Sequence, residues 1–143
     1  TALGPIRDFD FDVSILFSDL LFPLEALGLG LEYSPGPKLD RILTRDNISQ
    51  LKSVSEALPA LEFQKQAALA TRELLPNDKS LIGFVGGPWT LFTYAAEGAH
   101  KGHLINAKSD FSLFTDFCEV LIPLLIENIK LQFEGLIRKI CNP

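Results

Sequence analysis

Leu81 to Gly98 reads LIGFVGGPWTLFTYAAEG, and its opening residues decide the class of fold. The uncharged run Ser80 to Val85 has the content of a strand buried on both faces of a parallel sheet. Gly86-Gly87-Pro88 closes that run, and Trp89 to Ala96 begins a helix. A second run of the same kind, Val13 to Phe17, leads into Ser18-Asp19. The order strand, crossover, strand, helix is α/β architecture. In α/β barrels the groups that do chemistry gather beyond the C-terminal ends of the strands, which is where Asp19 and Tyr94 stand.

Working outward, residues 1–12 carry Gly4, Pro5 and three aspartates and read as the end of a helix or a loop entering Val13. Leu20 to Leu31 is nearly all apolar, yet Pro23, Gly28 and Gly30 limit it to a short helical turn and an irregular crossing. Ser34-Pro35-Gly36-Pro37 makes a turn. Between Arg41 and Gln50 a surface loop or short helix is expected. Ser55 to Leu75 predicts a helix with Pro59 in its first turn and Leu58, Leu61, Ala68, Leu69 and Leu75 along one stripe. Beyond the second strand, Gly98 to Gly102 reads as a flexible joint. Asp110 is placed to cap a long helix from Phe111 to about Phe133, with Phe111, Phe114, Phe117, Leu121 and Leu125 facing its sheet. Pro123 is expected to kink that helix or divide it.

With 143 residues, 47% of them hydrophobic, and a mean hydropathy of +0.20, the chain suits a packed core rather than disorder. A net charge of -5 without a basic stripe argues against nucleic acid as a partner. Cys118 and Cys141 form no CxxC and have no His pair beside them, so neither a zinc site nor a disulfide framework is indicated, and a reducing cytoplasm fits. The most apolar stretch, Val120 to Ile126, is far shorter than the roughly 20 residues of a membrane helix. No secretory signal opens the chain, and a first residue Thr1 with no Met anywhere points to a start that precedes it.

ILFSDLLFPLEALGLGLEYSPGP (Ile15 to Pro37) and LIGFVGGPWTLFTYAAEG (Leu81 to Gly98) resemble two signature regions of the uroporphyrinogen decarboxylase family, in that family's order and at about its separation. PIRDFDFD (Pro5 to Asp12) is similar to the approach to the first. The resemblance runs along most of residues 2–130 and corresponds to less than half of the family's chain. It implies a (β/α)8 TIM barrel, of which residues 1–143 form one partial, central domain with about two parallel strands and their helices. It further implies an enzyme of haem and tetrapyrrole biosynthesis that decarboxylates the four acetate arms of uroporphyrinogen III to coproporphyrinogen III. A cytoplasmic homodimer is implied too, with no metal and no organic cofactor.

By the same resemblance, Asp19 matches the carboxylate that binds the pyrrole N–H groups at the macrocycle's centre, Tyr94 a substrate contact, and Phe17 and Phe84 apolar walls of the cleft. The family's arginine-rich N-terminal segment, a later Ser or Thr and a C-terminal His have no counterpart in these residues. After Lys130, where the family runs through small residues into another strand, this chain reads GLIRKIC from Gly135 to Cys141.

Decarboxylation of an acetate on a pyrrole needs an electron sink, which protonation of the ring supplies, and the resulting cation needs a fixed counter-charge. Asp19 suits that role because a carboxylate accepts several N–H donors and carries charge, where an amide would only imitate the geometry. Each residue also has a plainer reading. Asp19 could cap the following turn, Tyr94 could be a packing residue with a satisfied hydroxyl, and Phe17 and Phe84 could be core. Gly86 and Gly87 suit a tight turn or a close ligand approach, and His100 and His103 suit solvated loop positions better than a metal pair. Two rival functions share the pattern: a cobalamin-dependent methyltransferase of the same superfamily, and a non-catalytic truncated relative acting as an interaction module.

Overall fold

A computed structural model describes residues 2–33, 35–99 and 102–137. The chain runs through α1 (Gly4–Phe9), β1 (Val13–Ile15), α2 (Phe22–Ala26), a hairpin of β2 (Glu32–Tyr33) and β3 (Pro37–Lys38), and then α3 (Val54–Ala57) and α4 (Glu62–Leu74). It continues through β4 (Ser80–Ile82), α5 (Pro88–Glu97), α6 (Ile105–Ser109) and α7 (Phe111–Ile137). Two single 3-10 turns, Ile48–Gln50 and Leu58–Leu61, complete it.

β1 and β4 pair in parallel, Val13 opposite Ser80, Ser14 opposite Leu81 and Ile15 opposite Ile82. The expected burial of both sheet faces is not what forms. Ser14 is the buried residue of β1, its hydroxyl donating to the Ala2 carbonyl, whereas Val13, Ile15 and Ile82 are 38%, 53% and 48% exposed. Alternate strand residues point to opposite faces, so one face packs on the helices and the face bearing the branched aliphatics stays open among the described residues. The second strand is also shorter than expected, ending at Ile82, with the Phe84 N–H and carbonyl taken by a side chain from α7.

The core lies among the helices. Leu24 and Leu27 at α2, Leu91 and Phe92 on α5, and Phe117 and Leu121 on α7 are wholly buried, each worth about 1.5–3 kcal/mol over exposure. The expected 55–75 helix forms in three segments, α3, the 3-10 turn containing Pro59, and α4. Ser53 and Glu56 close a reciprocal capping box at its start. Its stripe holds, with Leu61, Ala68 and Leu75 buried and Leu58 and Leu69 half-buried.

α7 is one 27-residue helix through Pro123, so the proline does not divide it. Asp110 does cap it: the Leu113 N–H donates to Asp110 Oδ1 at 3.0 Å. Arg45 locks that carboxylate, Nε to Oδ2 at 2.7 Å and Nη2 to Oδ1 at 2.5 Å, and also donates to the Ser112 hydroxyl. The stripe begins one turn late, since Phe111 is 66% exposed. The helix also runs past Phe133 to Ile137, where a Cβ on Gly135 would stand 2.7 Å from the Lys65 carbonyl and 2.8 Å from Ala68. Gly135 therefore lets α7 cross α4 closely, and Arg138 to Cys141 lie outside the described residues.

Candidate functional site at the strand exits

Asp19 stands on the loop four residues beyond β1, and both of its oxygens are occupied. Oδ1 accepts the Leu21 N–H at 2.7 Å, a local turn that starts the entry into α2, so part of the plain capping reading of Asp19 is realised. Oδ2 accepts the Tyr33 hydroxyl at 2.5 Å, delivered by the β2–β3 hairpin. Partial burial, and then the Asp19 contact, push the Tyr33 phenol up to about 12.

Beside Asp19 the two strands part. The last bond between them is from the Leu16 N–H to the Ile82 carbonyl at 2.9 Å, after which Phe17 turns back on the Ile15 carbonyl. Phe84, two residues past β4, takes the Gln132 side chain as a partner instead: Oε1 accepts the Phe84 N–H and Nε2 donates to the Phe84 carbonyl, both at 3.1 Å. The amide of Gln132 thus stands where a backbone would stand. It is itself held by Gln64 Oε1 at 2.9 Å, and a Cβ on Gly83 would lie 2.3 Å from Gln132 Oε1, which makes glycine the residue that fits. A crevice of about 120 Å³ opens between the parted strands, lined by Leu16, Phe17, Phe63, Gln64, Phe84 and Gln132.

Phe17 and Phe84 meet across that crevice as a stacked pair, ring centroids 5.6 Å apart at 27°. Phe17 is 86% exposed, so it is not a core residue in this chain, and among the described residues its ring stacks on Phe84. Phe84 is half-buried.

The rest of the second signature is scaffold. Gly87 is the N-cap of α5 and Pro88 its first residue, where a missing N–H costs nothing. A Cβ on Gly86 would crowd Leu91 and the Leu20 carbonyl, so the tight turn explains that glycine. Tyr94 lies on α5, half-buried against the core. Glu97, only 4% exposed, accepts the Ala107 N–H at 3.1 Å and Asn106 Nδ2 at 3.3 Å, so it holds the start of α6. Gly98 ends α5 in the left-handed region at φ +75°, its N–H returning to the Tyr94 carbonyl at 2.8 Å.

The structure thus joins Phe17 to Phe84 and seats Asp19 at the same strand exit, with Tyr94 carried by the helix that follows β4. Sequence reasoning missed Tyr33 and Gln132. Both act over separations, 14 and 48 residues, that no local pattern reports. Among the described residues no group of three His, Cys, Asp or Glu side chains is placed to hold a metal ion, and His100 lies outside them.

A family model described as "Uroporphyrinogen decarboxylase (URO-D)" matches residues 1–138. Among curated proteins, a uroporphyrinogen decarboxylase of Helicobacter hepaticus is 40% identical over 99% of this chain and 42% of its own length. One of Campylobacter hominis is 35% identical over the same shares, and one of Mus musculus 33% identical over 94% of this chain and 40% of its own. The chain therefore spans about two fifths of the length of the relatives it matches. A mixed α/β chain with a parallel strand pair, two signature loops at the strand exits and a match across nearly all its residues belongs to the uroporphyrinogen decarboxylase family.

Proposed function

We propose that the protein containing these residues decarboxylates the four acetate arms of uroporphyrinogen III to give coproporphyrinogen III, with Asp19 as the fixed counter-charge. The observation that carries this reading is the Asp19 carboxylate, held through both oxygens at the exit of β1 beside the Phe17–Phe84 pair. In the reaction a proton adds to a pyrrole carbon, and the ring becomes cationic. The bond to the carboxylate carbon then breaks, its electrons flow into the ring, and carbon dioxide leaves. The methylene takes a proton to become a methyl group and the ring carbon gives up the proton it first gained, so the neutral pyrrole is restored and one proton is consumed per carbon dioxide released. The substrate's own ring is the electron sink, so the reading calls for neither a metal nor an organic cofactor.

A carboxylate already held in place stabilises the ring cation without reorganising as the reaction proceeds. Phe17 and Phe84 supply apolar walls that strengthen that interaction by excluding water, and Tyr94 contacts the substrate from α5. The enzyme is read as a cytoplasmic homodimer with no nucleic-acid partner. Among the described residues no helix is long and apolar enough to cross a membrane. The 143 residues alone, with two paired parallel strands among the described residues where a barrel needs eight, are expected to be inactive.

The test is Asp19→Asn in the full-length protein, assayed with uroporphyrinogen III. The expected loss in kcat is about 10²- to 10³-fold, the scale of removing one preorganised electrostatic group. A wild-type rate would remove Asp19 from the mechanism, and zinc bound at full stoichiometry would favour the methyltransferase instead.

A further inference from the structure

We infer that Tyr33 is a positioning residue for Asp19, a role that rests on the decarboxylase reading above. A carboxylate offers roughly four lone-pair directions. One oxygen of Asp19 is committed to the Leu21 N–H and the other to the Tyr33 hydroxyl, so the group cannot turn about its Cβ–Cγ bond without breaking one of the two. The remaining lone pairs are thereby aimed before any ligand arrives, which is the property a counter-charge needs.

The phenol is delivered by backbone that is itself tied down. β2 pairs with β3, Tyr33 opposite Pro37, and the chain after β3 is fastened to the end of α5 by the Leu39 N–H on the Gly98 carbonyl at 2.7 Å. On the entering side Gly30 sits at φ +71° with Asp40 where a Cβ would go, and the Arg41 N–H closes on the Leu29 carbonyl at 3.0 Å. The hairpin is therefore fastened to the second signature region through Leu39 and Gly98, and it reaches Asp19 through the Tyr33 hydroxyl. Tyr33 is 54% exposed, so its ring fills little of the core and the hydroxyl is the part with a defined task. With its own ionisation pushed up to about 12, the phenol keeps its proton and remains a donor at neutral pH.

The experiment compares Tyr33→Phe, Asp19→Ala and the double substitution in the full-length protein by steady-state kinetics on uroporphyrinogen III. Tyr33→Phe keeps the ring and removes only the donor. It is expected to lower kcat about tenfold, the weight of one hydrogen bond to a charged group, with KM and the thermal midpoint nearly unchanged. Added to Asp19→Ala it is expected to cost nothing further, because its effect runs through the carboxylate. Equal fractional losses in both backgrounds, or a wild-type rate for Tyr33→Phe while Asp19→Ala is slow, overturn the Tyr33 role alone. A wild-type rate for Asp19→Ala overturns the decarboxylase reading and this inference with it.

Discussion

Two glycines of one signature are expected to answer substitution with opposite signs. Gly83→Ala would drive a methyl to 2.3 Å from Gln132 Oε1, displacing the amide and leaving the Phe84 N–H and carbonyl without partners, a loss of about 2–3 kcal/mol in urea unfolding. Gly87→Ser has open space around its Cβ and supplies the side-chain cap that α5 lacks, so it is expected to be neutral or to gain a few tenths of a kcal/mol, about the difference between these caps. At this scale the sequence was legible where a residue's task is local: Asp110 capping a helix, Asp19 following a strand. Tyr33 and Gln132 were not, because a hydroxyl or an amide declares nothing until a remote carboxylate or peptide group arrives.

Among the elements, the long helices were readable from their stripes, whereas α6 was not. INAKS is too short for a period, and Glu97 reaches across from α5 to hold it, accepting the Ala107 N–H and the Asn106 side-chain amide. Glu97→Ala is expected to destabilise by about 1–3 kcal/mol, with loss of amide exchange protection confined to α6 and the end of α5. The cap of α7 carries a pH signature. Hydrogen bonds from Arg45 first, and from the Leu113 backbone second, hold the Asp110 carboxyl down at about 2 against an ordinary 3.8. A depressed folded-state value means its contribution is complete above about pH 4 and drains away as the pH falls through 2. Asp10, lowered by its hydrogen bond to Lys79, adds to the same acid limb. Thermal midpoints at about pH 5 and about pH 2.5 should fall less for Asp110→Asn, which keeps a capping oxygen but no charge, than for the parent.

For the molecule as a whole, the reading as part of an α/β barrel came from motif order, while the burial of its strands did not follow from these residues alone. Runs such as VSILF and SLIGFV are apolar enough to suit two covered faces, and the described chain covers only the one that Ser14 and Leu81 share. In a barrel, alternate strand residues face inward and branched aliphatics fill the layers, which suits Val13, Ile15 and Ile82. Ile15→Lys with Ile82→Glu in the 143-residue chain should change stability by less than about 0.5 kcal/mol and reduce binding of a hydrophobic dye. The same pair in the full-length protein is expected to cost about 3 kcal/mol or more, since there the charges would be enclosed. The wedge that parts the strands has one more bearing. An amide carries no charge and has no titration of its own near neutrality, so the mouth of the crevice should keep one width from weakly acid to weakly alkaline solution. Whatever pH dependence a ligand's capture shows belongs to the ligand and to the ionisable groups around the opening, and not to the opening itself.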